Sequence, residues 1–312
     1  MKKKSLNKPG MKINGNSFLL MVTVLLFIVM YAAGMVIFAD KGFAKPQMFL
    51  NLFISNAGLL VIAMGQTIVM ITGGIDISVG SVTALVCMLC AYDMEKKGMS
   101  AYMAVAIALL IGLLFGIVQG FLVSYLEIQP FIVSLAGMFF GRGMTSIIST
   151  DMISIKNKTF FAWANYKIYL PIGSYSRRGK FIPAYIYPTV IIAILIFIVV
   201  LDGLLAGCGG FLFCLNSCSG FVEQAKGLEM DAISASVIGG TLLSGGVGTP
   251  FGTVFGVLIK GTISSLITTQ GTLSSWWVRI ALSALLCFFI VLRALSCMTS
   301  VTCRCLFVFL LK

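Results

Sequence analysis

A chain of 312 residues that is 59% hydrophobic and 10% charged, with a mean hydropathy of +1.05, cannot clothe a water-soluble domain, in which roughly a quarter of residues are charged. Its solvent is hydrocarbon. It has no histidine and only ten acidic residues, nearly all at the ends of apolar runs, which argues against an enzyme built on a Ser-His-Asp triad or paired carboxylates. The formal charge of +12 is spread over loops and tails without a basic stripe, so it reads as membrane-flanking anchors and not as a nucleic-acid surface.

The chain opens on a basic tail, residues 1–16, with Lys2, Lys3, Lys4, Lys8 and Lys12. The first apolar run, Ser17 to Phe38, has 22 residues, enough to cross a core of about 30 Å, and reads as a retained anchor because no small-x-small cleavage site follows it. Nine more runs follow, at about 52–71, 77–92, 103–123, 131–149, 184–200, 204–218, 232–244, 251–268 and 276–292. Lipid-exposed backbone must satisfy its own hydrogen bonds, and these runs lack barrel alternation, so the expected fold is all-α: a polytopic transmembrane helix bundle of about ten spans over residues 17–292. The single long connection, 150–183, carries Trp163, several tyrosines and Arg177-Arg178-Gly179-Lys180.

The leading lysines place the N-terminus in the cytoplasm and loop 150–183 outside, although Lys156, Lys158, Lys167 and the Arg177–Lys180 run then fall on the outer side against the positive-inside trend. A cysteine-rich tail, 293–312, ends the chain. The nine cysteines lie mostly in apolar runs without zinc-finger spacing and read as small apolar fillers. Cys303-x-Cys305 cannot alone complete a four-ligand site, so neither a metal nor a cofactor is expected on this chain.

Two segments interrupt the apolar background. Gly73-Gly74-Ile75-Asp76-Ile77-Ser78-Val79-Gly80 and Gly239-Gly240-Thr241-Leu242-Leu243-Ser244-Gly245-Gly246 both fit Gly-Gly-x-x-x-Ser-x-Gly. Glycine doublets let backbone leave the helix, and freed amides and carbonyls at membrane depth must be buried or line a cavity. Paired glycine-interrupted spans in corresponding halves point to a transport path; the alternative is close helix packing at small residues. Asp76 adds a carboxylate at the first break. The candidate path residues are therefore Gly73, Gly74, Asp76, Ser78, Gly80, Gly239, Gly240, Ser244 and Gly246. Arg142, inside the fifth run, joins them as a possible partner of Asp76, and Lys260 in the ninth run either lines a polar cavity or snorkels to an interface.

The stretch from Gly65 through Ser81 resembles the signature of the ribose/galactose/xylose branch of bacterial ABC permeases. Pro130 through Phe140 with Arg142-Gly143 is similar to the same branch. Glu229 through Ile233, Val237 through Thr249 and Gly271 through Trp277 are most similar to a permease of galactofuranose importers. The resemblance implies a sugar-importing permease of the bacterial inner membrane. It would work with a cytoplasmic ABC ATPase subunit, an extracytoplasmic sugar-binding protein and a second permease chain. The chain itself has no G-x-x-x-x-G-K-[ST], so ATP hydrolysis would belong to a separate chain.

The resembled permeases carry a cytoplasmic coupling segment between the sixth and seventh spans. Here Val200 runs into Leu201-Asp202-Gly203 and the next apolar run. As one helix, 184–218 would measure about 52 Å, so an Asp202-Gly203 turn is expected between two spans. Two other readings remain open at this point: a non-coupled remnant of such a permease, and a stand-alone secondary carrier working through Asp76.

Overall fold

The computed structural model describes residues 15–175, 181–198, 202–271 and 276–298. The leading lysines, the Arg177–Lys180 run, Val200, Leu201 and the end of the cysteine-rich tail with Cys303 and Cys305 lie outside the described residues.

Each of the ten apolar runs contains a helix. The first five are α1 (Gly15–Ile37), α2 (Pro46–Ile71), α3 (Val79–Glu95), α4 (Ala101–Ser124) and α5 (Pro130–Ile148). The long connection then folds as β1 (Ile153–Ser154), α6 (Lys158–Asn165), β2 (Ile168–Tyr175) and β3 (Phe181–Ile186). After it come α7 (Pro188–Ile198), α8 (Asp202–Ser217), β4 (Ser219–Gly220), α9 (Leu228–Ile238), α10 (Pro250–Gln270) and α11 (Trp276–Met298). Among the described residues five helices, α1, α2, α4, α5 and α10, are long and apolar enough to cross a membrane. At 11 residues each, α7 and α9 reach about 16 Å, half a bilayer core.

The bundle is helical with two small additions that hydropathy did not announce. Strands β2 and β3 pair antiparallel, and β1 pairs antiparallel with β4 across most of the sequence between them. The run expected to start at Ala184 therefore begins as strand. Tyr185 donates its N–H to Gln47 Oε1 at 2.8 Å while Gln47 Nε2 donates to Tyr185 O at 3.2 Å, and the helix starts only at Pro188, a residue suited to a first turn. The expected Asp202-Gly203 turn is also corrected: both residues open α8.

Close approach at glycines seats α8 among α2, α3 and α4. A Cβ on Gly112 of α4 would stand 2.8 Å from the Cα of Gly207, and one on Gly210 would stand 3.2 Å from the Cα of Thr83. Small residues let helix backbones meet where no aqueous hydrophobic drive exists. The buried Cys87, Cys90 and Cys214 fill the space between α3 and α8, in keeping with their reading as fillers.

The two ends of the bundle are distinct. At one, Glu95 Oε1 accepts from the N–H groups of Lys156 and Asn157 at 2.7 and 2.9 Å, and Lys41 Nζ donates to the last carbonyls of α10, at 2.7 Å to Thr269. This end carries the connection with β1, α6, β2 and β3. The other end carries both glycine breaks.

Candidate functional site: the glycine breaks and their supports

The first break runs from Thr72 to Ser78, and Gly80 already lies in α3. After Gly73, at φ +85°, the chain turns back into the bundle. Its depth is fixed by side chains from three helices. Gln66 of α2, with its amide oriented to suit both partners, donates to Asp76 O at 2.9 Å and accepts from Asp76 N–H at 3.3 Å. From α5, Ser134 Oγ donates to Ile75 O at 3.1 Å; from α4, Gln119 Nε2 donates to Ser78 Oγ at 2.9 Å. Asp76 Oδ1 accepts from the Ser78 N–H at 2.7 Å and from Ser78 Oγ at 2.6 Å, closing the turn before α3. The Asp76 carboxylate therefore caps its own chain. Gly74 is buried between Val69 and Pro130, with 3.3 Å from its missing Cβ to the proline ring.

The second break runs from Gly239 to Thr249, with Gly240, Gly245 and Gly246 at φ +98°, +81° and +82°. Three of its residues matter for where it sits. The Gly246 N–H donates to Ile71 O at 2.8 Å, a Cβ on Gly245 would stand 2.8 Å from Gly73 Cα, and Gly239 packs on the backbone of Gly252. The two breaks thus touch. A recess of about 340 Å³ opens beside the junction, lined by Leu20, Ile71, Gly239, Gly240, Gly246 and Gly248 among others. Ser244 is exposed at the tip of the second break.

Arg142 does not meet Asp76. Its Nη1 donates to the carbonyl oxygens of Val222 and Gln224, at 2.8 and 2.9 Å. These belong to the non-helical stretch between β4 and α9, which descends along α3: a Cβ on Gly220 would stand 2.7 Å from Cys87 O, and one on Gly80 would stand 2.9 Å from Ala225 O. Seven residues of α3 separate those contacts, about 10 Å of depth. Bare carbonyls there need donors, and a guanidinium supplies them without a counter-charge. The sequence placed Arg142 in the membrane; only the fold could show that its partner is backbone from another part of the chain.

The short helix α9 bridges the two breaks. Its C-terminus leads into the second, and the Glu229 carboxylate in its first turn packs against Gly80, where any side chain would collide. Asp231 points to α10 and pairs with Lys260, Oδ2 to Nζ 3.1 Å. Farther along, buried hydroxyls join α2, α9 and α10: Thr67 Oγ1 lies 3.0 Å from Ser236 Oγ and 2.6 Å from Thr253 Oγ1. Gln66, Thr67, Gln119, Ser134, Ser236, Thr253 and Asp231 escaped the sequence reading. The only signal was a polar side chain inside an apolar helix, which does not name its partner.

Comparison with known proteins agrees with this architecture. The family described as branched-chain amino acid transport system / permease component matches residues 48–201 and 187–291. The chain is 36% identical to the inner membrane ABC transporter permease protein YjfF of Escherichia coli (strain K12), over 88% of this chain and 91% of that one. It is 27% identical to the fructose import permease protein FruG of Bifidobacterium longum, over 92% and 93%, and 34% identical to the ribose import permease protein RbsC of Bacillus subtilis, over 75% and 81%. No solved structure matches. A helical bundle interrupted by two touching glycine breaks and matched by this family along most of its length is a multi-pass membrane permease, and the chain belongs to the ABC-transporter permease family of that description.

Proposed function

We propose that the chain is the membrane-spanning subunit of an ATP-driven monosaccharide importer of the bacterial inner membrane, and that the two glycine breaks form part of the wall of the sugar path. One observation carries the path: Gly73–Gly80 and Gly239–Gly246, far apart in sequence, meet through the Gly246 N–H and Ile71 O at 2.8 Å, with Gly245 against Gly73 and a recess lined by Gly239, Gly240 and Gly246 beside them. Non-helical backbone at the edge of a membrane bundle is stable where it is covered by protein or lines an aqueous cavity. Two such segments in contact, from two halves of a chain, suit a site around which the halves move. Arg142 supports this wall from behind by holding the Val222–Gln224 carbonyls.

Monosaccharide import is supported by the names of the relatives, which include fructose and ribose permeases. In this reading a cytoplasmic ABC ATPase subunit supplies the energy, an extracytoplasmic sugar-binding protein delivers the sugar, and a second permease chain completes the path. The break end faces the cytoplasm with the N-terminus, and the end bearing loop 150–183 faces the binding protein. The test is uptake into proteoliposomes holding this chain, a sister permease, the ATPase and the binding protein, with radiolabelled D-ribose, D-fructose and D-galactose. ATP-dependent accumulation of one of them is expected. Accumulation without ATP, driven by a proton gradient, would overturn the reading in favour of a secondary carrier.

A further inference from the structure

The Lys260–Asp231 ion pair stands where a lipid-facing surface could not hold it. Lys260 is the eleventh of the 21 residues of α10, so it lies about 15 Å from either end, at mid-bundle. Neither partner is fully buried: the side chains are 19% and 31% exposed. A charge at the bilayer centre costs several kcal/mol or more against lipid, so partly exposed intramembrane charges face water or protein. Polar residues continue from it along one face of α10. Ser264 and Thr268 follow Lys260 at steps of four, both are at least partly exposed, and the stripe runs toward the end that carries loop 150–183. Toward the break end the same row continues as Gly256 and Gly252, which are buried against Ala235 and Gly239, so the open part of the row begins at Lys260.

Resting on the sugar-importer reading above, we infer that Lys260, Asp231 and Ser264 form a water-lined sugar-contact site that starts at mid-bundle and opens toward the loop 150–183 end, apart from the junction of the glycine breaks. The chemistry suits a neutral polyol. An ammonium offers three donors and a carboxylate only acceptors, so together they satisfy hydroxyl groups that both donate and accept, while the pair carries no net charge to trap an ion. Asp231 also lies in the first turn of α9, at the positive end of its helix dipole. Glu229, two residues earlier and so on the other side of α9, packs on Gly80 and takes no part.

The inference is tested in the reconstituted importer by placing single cysteines at Lys260, at Ser264 and at the lipid-facing Ile117, which is 57% exposed on α4. A charged, membrane-impermeant methanethiosulfonate is applied from the binding-protein side, and modification is scored above that of the parent with its native cysteines. Such reagents consume thiolate, which forms only in water, so K260C and S264C should react at least about tenfold faster than I117C. The sugar that the parent imports, at saturating concentration, should slow both. Rates at K260C and S264C equal to that at I117C overturn the inference, as do fast rates that the sugar leaves unchanged. S264C keeps the ion pair and stands in if K260C fails to fold. Failure of the parent to import any sugar would sink the importer reading, while the labelling rates would still decide whether this face is wet.

Discussion

The backbone N–H of Gly246 donates to the carbonyl oxygen of Ile71 at 2.8 Å, and this bond ties the second glycine break to the last turn of α2. It replaces one of the unpaired carbonyls that every helix end leaves behind. It also brings Gly245 so close to Gly73 that Gly245 cannot carry a side chain without movement of backbone, whereas a Cβ on Gly73 would meet nothing within 4 Å.

Gly245→Val tests that junction. Position 245 has φ +81°, and a Cβ there would stand 2.8 Å from Gly73 Cα and 2.9 Å from Gly73 N. The left-handed backbone costs about 1–2 kcal/mol for a non-glycine residue and the overlap adds about 1–3 kcal/mol. A fall in detergent-solubilised melting temperature and loss of uptake are expected. Gly143→Ala, where nothing lies within 4 Å, is the control and should change neither. A melting temperature for Gly245→Val equal to the parent's would show that the contact is not rigid.

Asp76→Asn separates the importer from a proton-coupled carrier. Asp76 Oδ1 accepts from the Ser78 N–H and hydroxyl, and an asparagine oxygen in the same place still accepts both. ATP-driven uptake should therefore remain within about threefold of the parent, a change of less than about 0.7 kcal/mol. Asp76→Ala removes the acceptor and should impair uptake or folding. Abolished uptake in Asp76→Asn, with normal expression, would assign the carboxylate a protonation role.

Thr67→Val examines the hydroxyl trio. Thr67 also donates to Ala63 O at 2.8 Å, while Ser236 and Thr253 keep backbone acceptors at Ala63 and Thr249 without it. Because the partners retain alternatives, the loss should be small, about 0.6 kcal/mol as is typical between membrane helices and no more than about 2 kcal/mol. Thermal unfolding in bicelles measures it. A loss well above that would mean the trio acts as one cooperative unit.

Coupling to the ATPase makes the sharpest expectation. Only residues 199–201 separate α7 from α8, and three residues fully extended span about 11 Å at most. A standard interface needs roughly 800 Å² from each partner. Sugar-stimulated ATP hydrolysis in proteoliposomes should be weaker with this chain than with a sister permease and should rise when a coupling segment from that permease is inserted after Val200. Stimulation equal to that of the sister permease would show that another surface, such as the break end itself, transmits the stroke.

The sequence by itself determined the solvent, the helices and the breaks. Apolar runs long enough to span leave helix as the only backbone solution in lipid, and Gly73-Gly74 and Gly239-Gly240 mark where helix must fail, because glycine alone enters left-handed backbone cheaply. All ten runs contain helices, and both breaks lie where the motif put them. Tertiary structure decided the partners. Arg142 looked like a match for Asp76, yet it holds the carbonyls of Val222 and Gln224; Lys260 left two readings open, and its partner proved to be Asp231. Asp202-Gly203 read as a turn and became the start of α8, since a dipeptide's turn preference is worth less than seating a whole helix among α2, α3 and α4. Pattern along a chain reports which groups need a partner at membrane depth, because hydrocarbon offers none. Which group answers depends on packing between distant segments, and that is a property of the folded bundle alone.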